Sequence, residues 1–240
     1  MKLYAYCLVE DLDTLDAPVR GISGAAARLI KMDELGILVS DSESDAIPVT
    51  RENALTHAAV VRSVLDRTTP LPFRFGTLVT EQQLSSYISA RKPALLTKLA
   101  HVRGCVEMSV KIIWEPSTDN HEEPAGNQLN MGAGATFLAG KRREILGDER
   151  RSTEATGISA WLRETVSGLT RDEQVTVRPS EKLVLSAAHL VEWPTLPKYR
   201  ERVVTARQAR PELHFLVSGP WPPYSFANIE LEFKTQFGVS

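Results

Sequence analysis

The sequence has few cysteines, no surplus of one charge and no long apolar run, and each of these absences excludes a class of protein. Two cysteines among 240 residues exclude a disulfide-stabilised miniprotein, and we expect Cys7 and Cys105 to be buried free thiols. The 28 basic and 30 acidic residues leave a formal net charge of -2. A nucleic-acid binder needs a surplus of lysine and arginine, so we expect no nucleic-acid partner.

No stretch of about 18 apolar residues occurs, so we expect neither a membrane span nor a membrane partner. The first residues also lack the apolar run and small-residue cleavage site of a secretory signal. We therefore expect a location in the cytoplasm. With 42% hydrophobic and 24% charged residues, the remaining composition is that of an ordinary globular protein.

Patterns that carry catalysis or metal binding are also missing. A glycine-rich nucleotide-binding motif that begins with Gly132 and Gly134 would need its third glycine at position 137, which is Phe137. A phosphate-binding loop that ends at Gly140 would need Ser or Thr at position 142, which is Arg142. No Ser, Cys or carboxylate pattern assembles a nucleophile with a base. We expect no catalytic residue, no metal, no cofactor and no small-molecule substrate. No two histidines have the spacing of a helical zinc site: they are His57, His101, His121, His189 and His214.

The first hundred residues alternate between strand and helix patterns. Apolar runs predict strands at Leu3–Val9, Ala27–Met32 and Leu35–Ser40. Thr50 and Thr80 are suited to cap helices that reach about residues 67 and 101. In the first helix we expect a buried face that includes Leu55, Ala58, Val61 and Leu65, with His57 as a partly buried, hydrogen-bonded histidine.

From Cys105 onward the predicted order is strand, helix, strand, strand, helix, strand. The clearest strand is Cys105–Trp114, in which apolar even positions predict a core face and Glu107, Ser109 and Lys111 predict a face toward water. A linker at 115–127 and a glycine-interrupted helical region at 129–169 follow. The later elements are strands at Gln174–Arg178, Leu183–Trp193 and Leu213–Val217, and a basic helix at Leu196–Arg210.

This order predicts an α+β protein of two domains. Residues 103–240 have the order of a ferredoxin-like fold, a βαββαβ antiparallel sheet with helices on one face, and residues 1–102 form a smaller α+β domain. The same scaffold leaves two other functions open, an enzyme or small-ligand binder and an RNA-binding module. Cys105–Trp114 lacks the aromatic run of an RNA-binding strand, which argues against the second.

The segment from Gly219 to Phe226 is unlike the rest of the chain. Pro220, Pro222 and Pro223 alternate with Trp221 and Tyr224, so we expect a rigid extended or turn segment that leaves the sheet. Two interpretations stay open. The aromatic side chains either close the core of their own domain or form a preorganised docking surface. The basic helix, with Arg200 and Arg207, is either a solvated face or part of a surface for a partner.

The same segment resembles the signature of the GvpL/GvpF family of gas vesicle proteins, whose members end in Gly-Pro-Trp-Pro-Pro-Tyr-Ser-Phe. Other stretches are similar to the family and occur in the same order: Leu3-Tyr-Ala-Tyr, Leu71-Pro-Phe-Arg-Phe-Gly-Thr77, Gly104-Cys-Val-Glu-Met-Ser-Val-Lys111 and Gly134-Ala-Thr-Phe-Leu138. In the last of these stretches Phe137 stands where the family usually has Tyr.

The resemblance implies a non-enzymatic protein of two α+β domains that is needed for gas vesicle formation. Its implied partners are the shell protein GvpA and other accessory Gvp proteins, and its implied location is the vesicle shell and the cytoplasm. No catalytic residues follow from the family. The candidate partner-binding residues are Gly219, Pro220, Trp221, Pro222, Pro223, Tyr224, Phe226, Arg200 and Arg207.

Overall fold

The computed structural model describes residues 2–114, 149, 151–177 and 183–229, which form two compact units. One unit contains Met1–Glu107 together with the chain from Gly219 onward, and the other contains Met108–Ser218. The division of the chain into domains at 1–102 and 103–240 stays a prediction. The two divisions differ chiefly in the C-terminal segment, which groups with the first unit in the structure. The predicted linker at 115–127 and the helical region up to 148 lie outside the described residues.

The first sheet is built around β1, Lys2–Glu10, whose residues from Leu3 to Val9 are all buried. Continuous burial explains its run of apolar and aromatic side chains, because both faces of a central strand are covered. Antiparallel partners lie on either side, in the order β2-β3-β1-β4, and β5 also pairs with β1. These strands are β2 at Arg28–Met32, β3 at Leu35–Ser42, β4 at Leu71–Pro72 and β5 at Leu78–Val79.

Two helices complete the first unit, and both begin at the predicted caps. The Thr50 hydroxyl accepts from the Asn53 amide ahead of α1, Arg51–Arg62. Thr80 and Gln83 form a capping box ahead of α2, Glu81–Val102. The buried face of α1 differs from the prediction. Leu55 is 59% exposed, and the side chains that meet the core are His57, Val60 and Val61, followed by Val64 and Leu65.

The second sheet has the order β7-β8-β6-β9. Its strands are β6 at Cys105–Trp114, β7 at Asp172–Val177, β8 at Leu183–Glu192 and β9 at Leu213–Trp221. Helix α3 covers residues 151–165, and α4 is Leu196–Ala209. Ile158 and Leu162 of α3 pack in one core with Val110, Ile112 and Phe215 of the strands, so one face of this helix is apolar.

Three further expectations concern the described residues alone. Both Cys7 and Cys105 are buried and in the thiol form, as predicted. The described helices include none that is long and apolar enough to cross a membrane. Within the described ranges no three histidine, cysteine or carboxylate side chains are grouped so that they could hold a metal ion.

Candidate partner-binding surface

The proline-rich segment continues the sheet before it turns away from it. Strand β9 runs through Gly219 and Pro220 to Trp221, so the expectation that the chain leaves the sheet at Gly219 is wrong. A proline fits here because β9 is an outer strand among the described strands of its sheet, and an outer strand needs no amide donor on its outer side. The chain then forms the short helix α5, Tyr224–Ala227, in which the Tyr224 and Phe226 amides donate to the carbonyls of Pro222 and Pro223.

The segment is partly core and partly surface. Pro222, Pro223 and Phe226 are buried, which agrees with the interpretation that the segment closes a core. Trp221 and Tyr224 are each 39% exposed. We call these two side chains the aromatic surface.

Glu107 anchors the proline-rich segment through hydrogen bonds to Ser225. Its carboxylate accepts two hydrogen bonds from Ser225, one from the amide at 2.7 Å and one from the hydroxyl at 2.8 Å. Only 7% of Glu107 is exposed, so the prediction that it faces water is wrong. Burial raises the pKa of this carboxyl, and the two hydrogen bonds from Ser225 partly offset that shift. Alternation along β6 could not reveal a polar partner 118 residues away.

Lys98 of α2 holds the end of the same segment. Its ammonium group donates to the carbonyl oxygens of Ala227 at 3.1 Å and Asn228 at 3.0 Å. These are the carbonyls at the end of α5, where the positive charge also suits the helix terminus. Asn228 has a φ of 35° in the left-handed region, a conformation that asparagine adopts more readily than most residues. The backbone of the segment is therefore fixed at two points.

A buried polar cluster lies beside Tyr224. The His57 ring is 6.3 Å from the Tyr224 ring, and its Nδ1 atom lies 2.9 Å from the Tyr4 hydroxyl. Burial lowers the pKa of His57 to about 4, although the Phe73 backbone acts in the opposite direction, and burial raises the pKa of Tyr4 to about 12. The Nε2 atom of His57 has no hydrogen-bond partner of good geometry among the described residues. The expected hydrogen-bonded histidine is thus satisfied on one ring nitrogen.

The indole of Trp221 has a cationic neighbour. The guanidinium of Arg62, from the last turn of α1, lies 5.5 Å from the centroid of the Trp221 ring. This is a cation–π distance, and such a contact restricts the orientation of a partly exposed indole. The aromatic surface therefore combines an anchored backbone with a stacked side chain.

The two predicted basic residues belong to the other unit. Arg200 and Arg207 are exposed on α4, and Arg207 also lines an open groove beside β9. They are therefore not part of the aromatic surface, whose two residues lie in the first unit. Sequence reasoning missed Glu107 and Lys98 as anchoring residues. For Glu107 a signal existed, since it is the glutamate of the Gly104–Lys111 motif.

Comparisons with known proteins agree over almost the whole length. A family model described as gas vesicle synthesis protein GvpL/GvpF matches residues 2–228. Gas vesicle protein L2 of Halobacterium salinarum is 28% identical over 262 residues, which cover 93% of this chain and 90% of that protein. Gas vesicle protein L of a Streptomyces species is 27% identical, with 95% and 94% covered. The crystal structure of GvpF from an Anabaena species has the same mixed α/β fold, with a TM-score of 0.80 at 20% identity and coverage of 95% and 99%.

Proposed function

The chain belongs to the GvpL/GvpF family of gas vesicle proteins, and we propose that it is an accessory or minor structural component required for gas vesicle formation. The named relatives are gas vesicle proteins L and F, which supports a role in vesicle formation. We place the protein at the vesicle shell and in the cytoplasm. Its partners in this proposal are the shell protein GvpA and other accessory Gvp proteins.

The proposed mechanism is that the aromatic surface holds a shell subunit during assembly. The observation that carries it is the exposure of Trp221 and Tyr224 on a backbone fixed through Glu107 and Lys98. Aromatic anchors give large contact areas, and a preorganised backbone loses little conformational entropy on binding. Arg200 and Arg207 remain proposed contact residues at a second surface of the same protein.

The proposed architecture has a smaller α+β domain at 1–102 and a ferredoxin-like domain at 103–240. The strand order β7-β8-β6-β9 supports the second part of this proposal, because it is the order that a βαββαβ chain gives in a ferredoxin-like sheet. In that arrangement the two outer strands are the second and the fourth of the domain, here β7 and β9.

Co-purification with the shell protein tests the mechanism. We expect tagged protein from a vesicle-forming host to retain GvpA, and the combined variant Trp221→Ala and Tyr224→Ala to lose it. Leu55→Ala is the matched control, because Leu55 is an exposed apolar residue of the same unit. Retention of GvpA by a folded double variant contradicts the mechanism.

A second measurement covers the case in which the double variant does not fold. A photoreactive phenylalanine derivative at position 224 keeps an aromatic ring there, and position 87 serves as the control because Tyr87 is a half-buried tyrosine on α2. We expect cross-links to GvpA from position 224 and not from position 87. Equal cross-linking from both positions, or none from position 224, contradicts the mechanism.

A further inference from the structure

An open groove of about 610 Å³ lies in the second unit between α4 and the edge strand β9. Its apolar part includes Val204 from the helix and Leu216 from the strand, both more than half exposed. Val217 beside it is 43% exposed. We call this site the β9 groove, and its lining residues are Val204, Arg207, Gln208, Pro211, Leu213, His214, Phe215 and Leu216.

The two outer strands of this sheet differ in how their edges are protected. Natural proteins usually place charged side chains on an edge strand, because its unpaired backbone groups otherwise pair with another chain. Strand β7 follows this rule, with Asp172 and Glu173, and Glu173 forms an ion pair with Arg163. Strand β9 contains no Asp, Glu, Lys or Arg from Leu213 to Trp221. Among the described strands, β9 pairs only with β6.

The lining of the β9 groove is positively charged at Arg207, and Glu212, between the lining residues Pro211 and Leu213, forms an ion pair with Arg210. Arg207 and His214 contribute the only titratable side chains of its lining, and the lining contains no carboxylate. Arg200 lies two turns before Arg207 on α4, so the helical period of 3.6 residues puts both on one face. A second copy of this strand would bring arginine against arginine. A partner segment with carboxylates meets the opposite charge.

We propose that the β9 groove binds an extended acidic segment of a partner protein, which adds as a fifth strand beside β9. The backbone of Leu213–Val217 supplies the hydrogen bonds of strand addition, and the exposed side chains of Val204 and Leu216 supply apolar contacts. Arg207 and Arg200 select glutamate or aspartate on the incoming segment. The β9 groove shares no residue with the aromatic surface, and the proposal goes beyond the shell-subunit contact assigned there.

A synthetic peptide in which glutamate alternates with valine over eight residues is the probe for the full-length protein. We expect it to bind with a dissociation constant below about 1 mM, measured by fluorescence anisotropy, and to slow amide hydrogen exchange over residues 213–217. The same peptide with lysine in place of glutamate should bind at least about tenfold more weakly. A peptide with alternate backbone amides methylated should not bind, because it cannot pair as a strand.

The variants Arg207→Glu and Leu216→Glu should each weaken the acidic peptide at least about tenfold. Lys198→Glu is the matched control, since it changes the net charge equally but lies on the opposite face of α4, nine residues from Arg207. Equal weakening by Lys198→Glu, or no protection at 213–217, overturns the proposal.

Sedimentation of the protein alone distinguishes a second copy from an acidic partner. A concentration-dependent dimer that Leu216→Glu abolishes would assign the edge to self-association and overturn the proposal. A monomer that binds the acidic peptide with the expected protection of β9 supports it.

Discussion

The aromatic surface and the β9 groove come from neighbouring stretches of one chain, yet they offer different parts of it to a partner. At the aromatic surface the backbone is occupied, because Ser225 donates to Glu107 and the Ala227 and Asn228 carbonyls accept from Lys98. The side chains of Trp221 and Tyr224 are therefore the groups that a partner can contact. In the β9 groove the exposed side chains of Val204, Arg207 and Leu216 lie beside a strand edge that carries no Asp, Glu, Lys or Arg. A segment whose backbone is already hydrogen-bonded thus offers its side chains to a partner, whereas a strand edge without charged side chains offers its backbone.

Among the described residues, each unit has a buried histidine in a similar setting, so the stabilities of the two units can be compared as a function of pH. His57 lies 2.9 Å from the Tyr4 hydroxyl, and His189 lies 2.6 Å from the Tyr199 hydroxyl. Burial lowers the pKa of each histidine to about 4 from an ordinary value of 6.5. The unfolded chain therefore binds more protons between those values, and the free energy of unfolding falls as pH falls through this window.

The largest expected effect is this loss on acidification, roughly 3 kcal/mol for each histidine between pH 7 and 4. Burial raises the pKa of Glu107, so that carboxyl acts in the opposite direction and only in the first unit. Urea unfolding at several pH values measures the sum. His57→Phe and His189→Phe should each flatten the profile by about half. A profile unchanged in both variants would show that neither histidine is buried neutral.

Removal of the anchor is the next largest effect. Glu107→Ala should lower the free energy of unfolding by about 2 kcal/mol, because the Ser225 amide and hydroxyl lose their acceptor. Glu107→Gln should cost about half of that. Glu212→Ala is the control, since Glu212 forms an exposed ion pair with Arg210 whose loss should change the free energy of unfolding very little. Equal losses for Glu107→Ala and Glu212→Ala would contradict the role of Glu107 as an anchor.

Truncation of the exposed aromatic side chain comes third. Trp221→Ala should lower the free energy of unfolding by about 2 kcal/mol, because most of the indole is covered and Arg62 stacks on it. Urea titration followed by circular dichroism measures the change. A loss below about 0.5 kcal/mol would mean that the aromatic surface does not also serve as core.

The smallest effect is expected at the β9 groove. Leu216→Ala should change the free energy of unfolding by less than about 0.5 kcal/mol, since the side chain is 56% exposed. The same urea titration applies. A loss as large as that of Trp221→Ala would show that Leu216 belongs to the core and would remove the contrast between the two surfaces.

Local features were predictable from sequence where a single element determines them. Strand β6 has the predicted bounds, Cys105–Trp114, because its alternation is regular. Thr50 and Thr80 cap their helices as expected, because capping depends on residues three positions apart. Strand β5, Leu78–Val79, was missed because two residues form no pattern.

Features that depend on distant partners were not predictable from such patterns. The alternation along β6 predicts that Glu107 faces water, but two hydrogen bonds from Ser225 allow its carboxylate to be buried. The pattern of α1 predicts that Leu55 is buried, but Leu55 is exposed. His57 is buried instead, where its ring lies beside the Tyr4 hydroxyl of β1. The aromatic surface itself was found from its composition. Its division into buried prolines and half-exposed aromatic side chains depends on the rest of the first unit.

The central claim is that Trp221 and Tyr224 act in gas vesicle formation, and complementation tests it most directly. A vesicle-forming host that lacks this gene receives the original chain, the combined variant Trp221→Ala and Tyr224→Ala, or the control Leu55→Ala, and vesicles are counted by electron microscopy. The original chain and Leu55→Ala should restore vesicles, and the double variant should not, although it accumulates as folded protein. Full restoration by the double variant would contradict the claim.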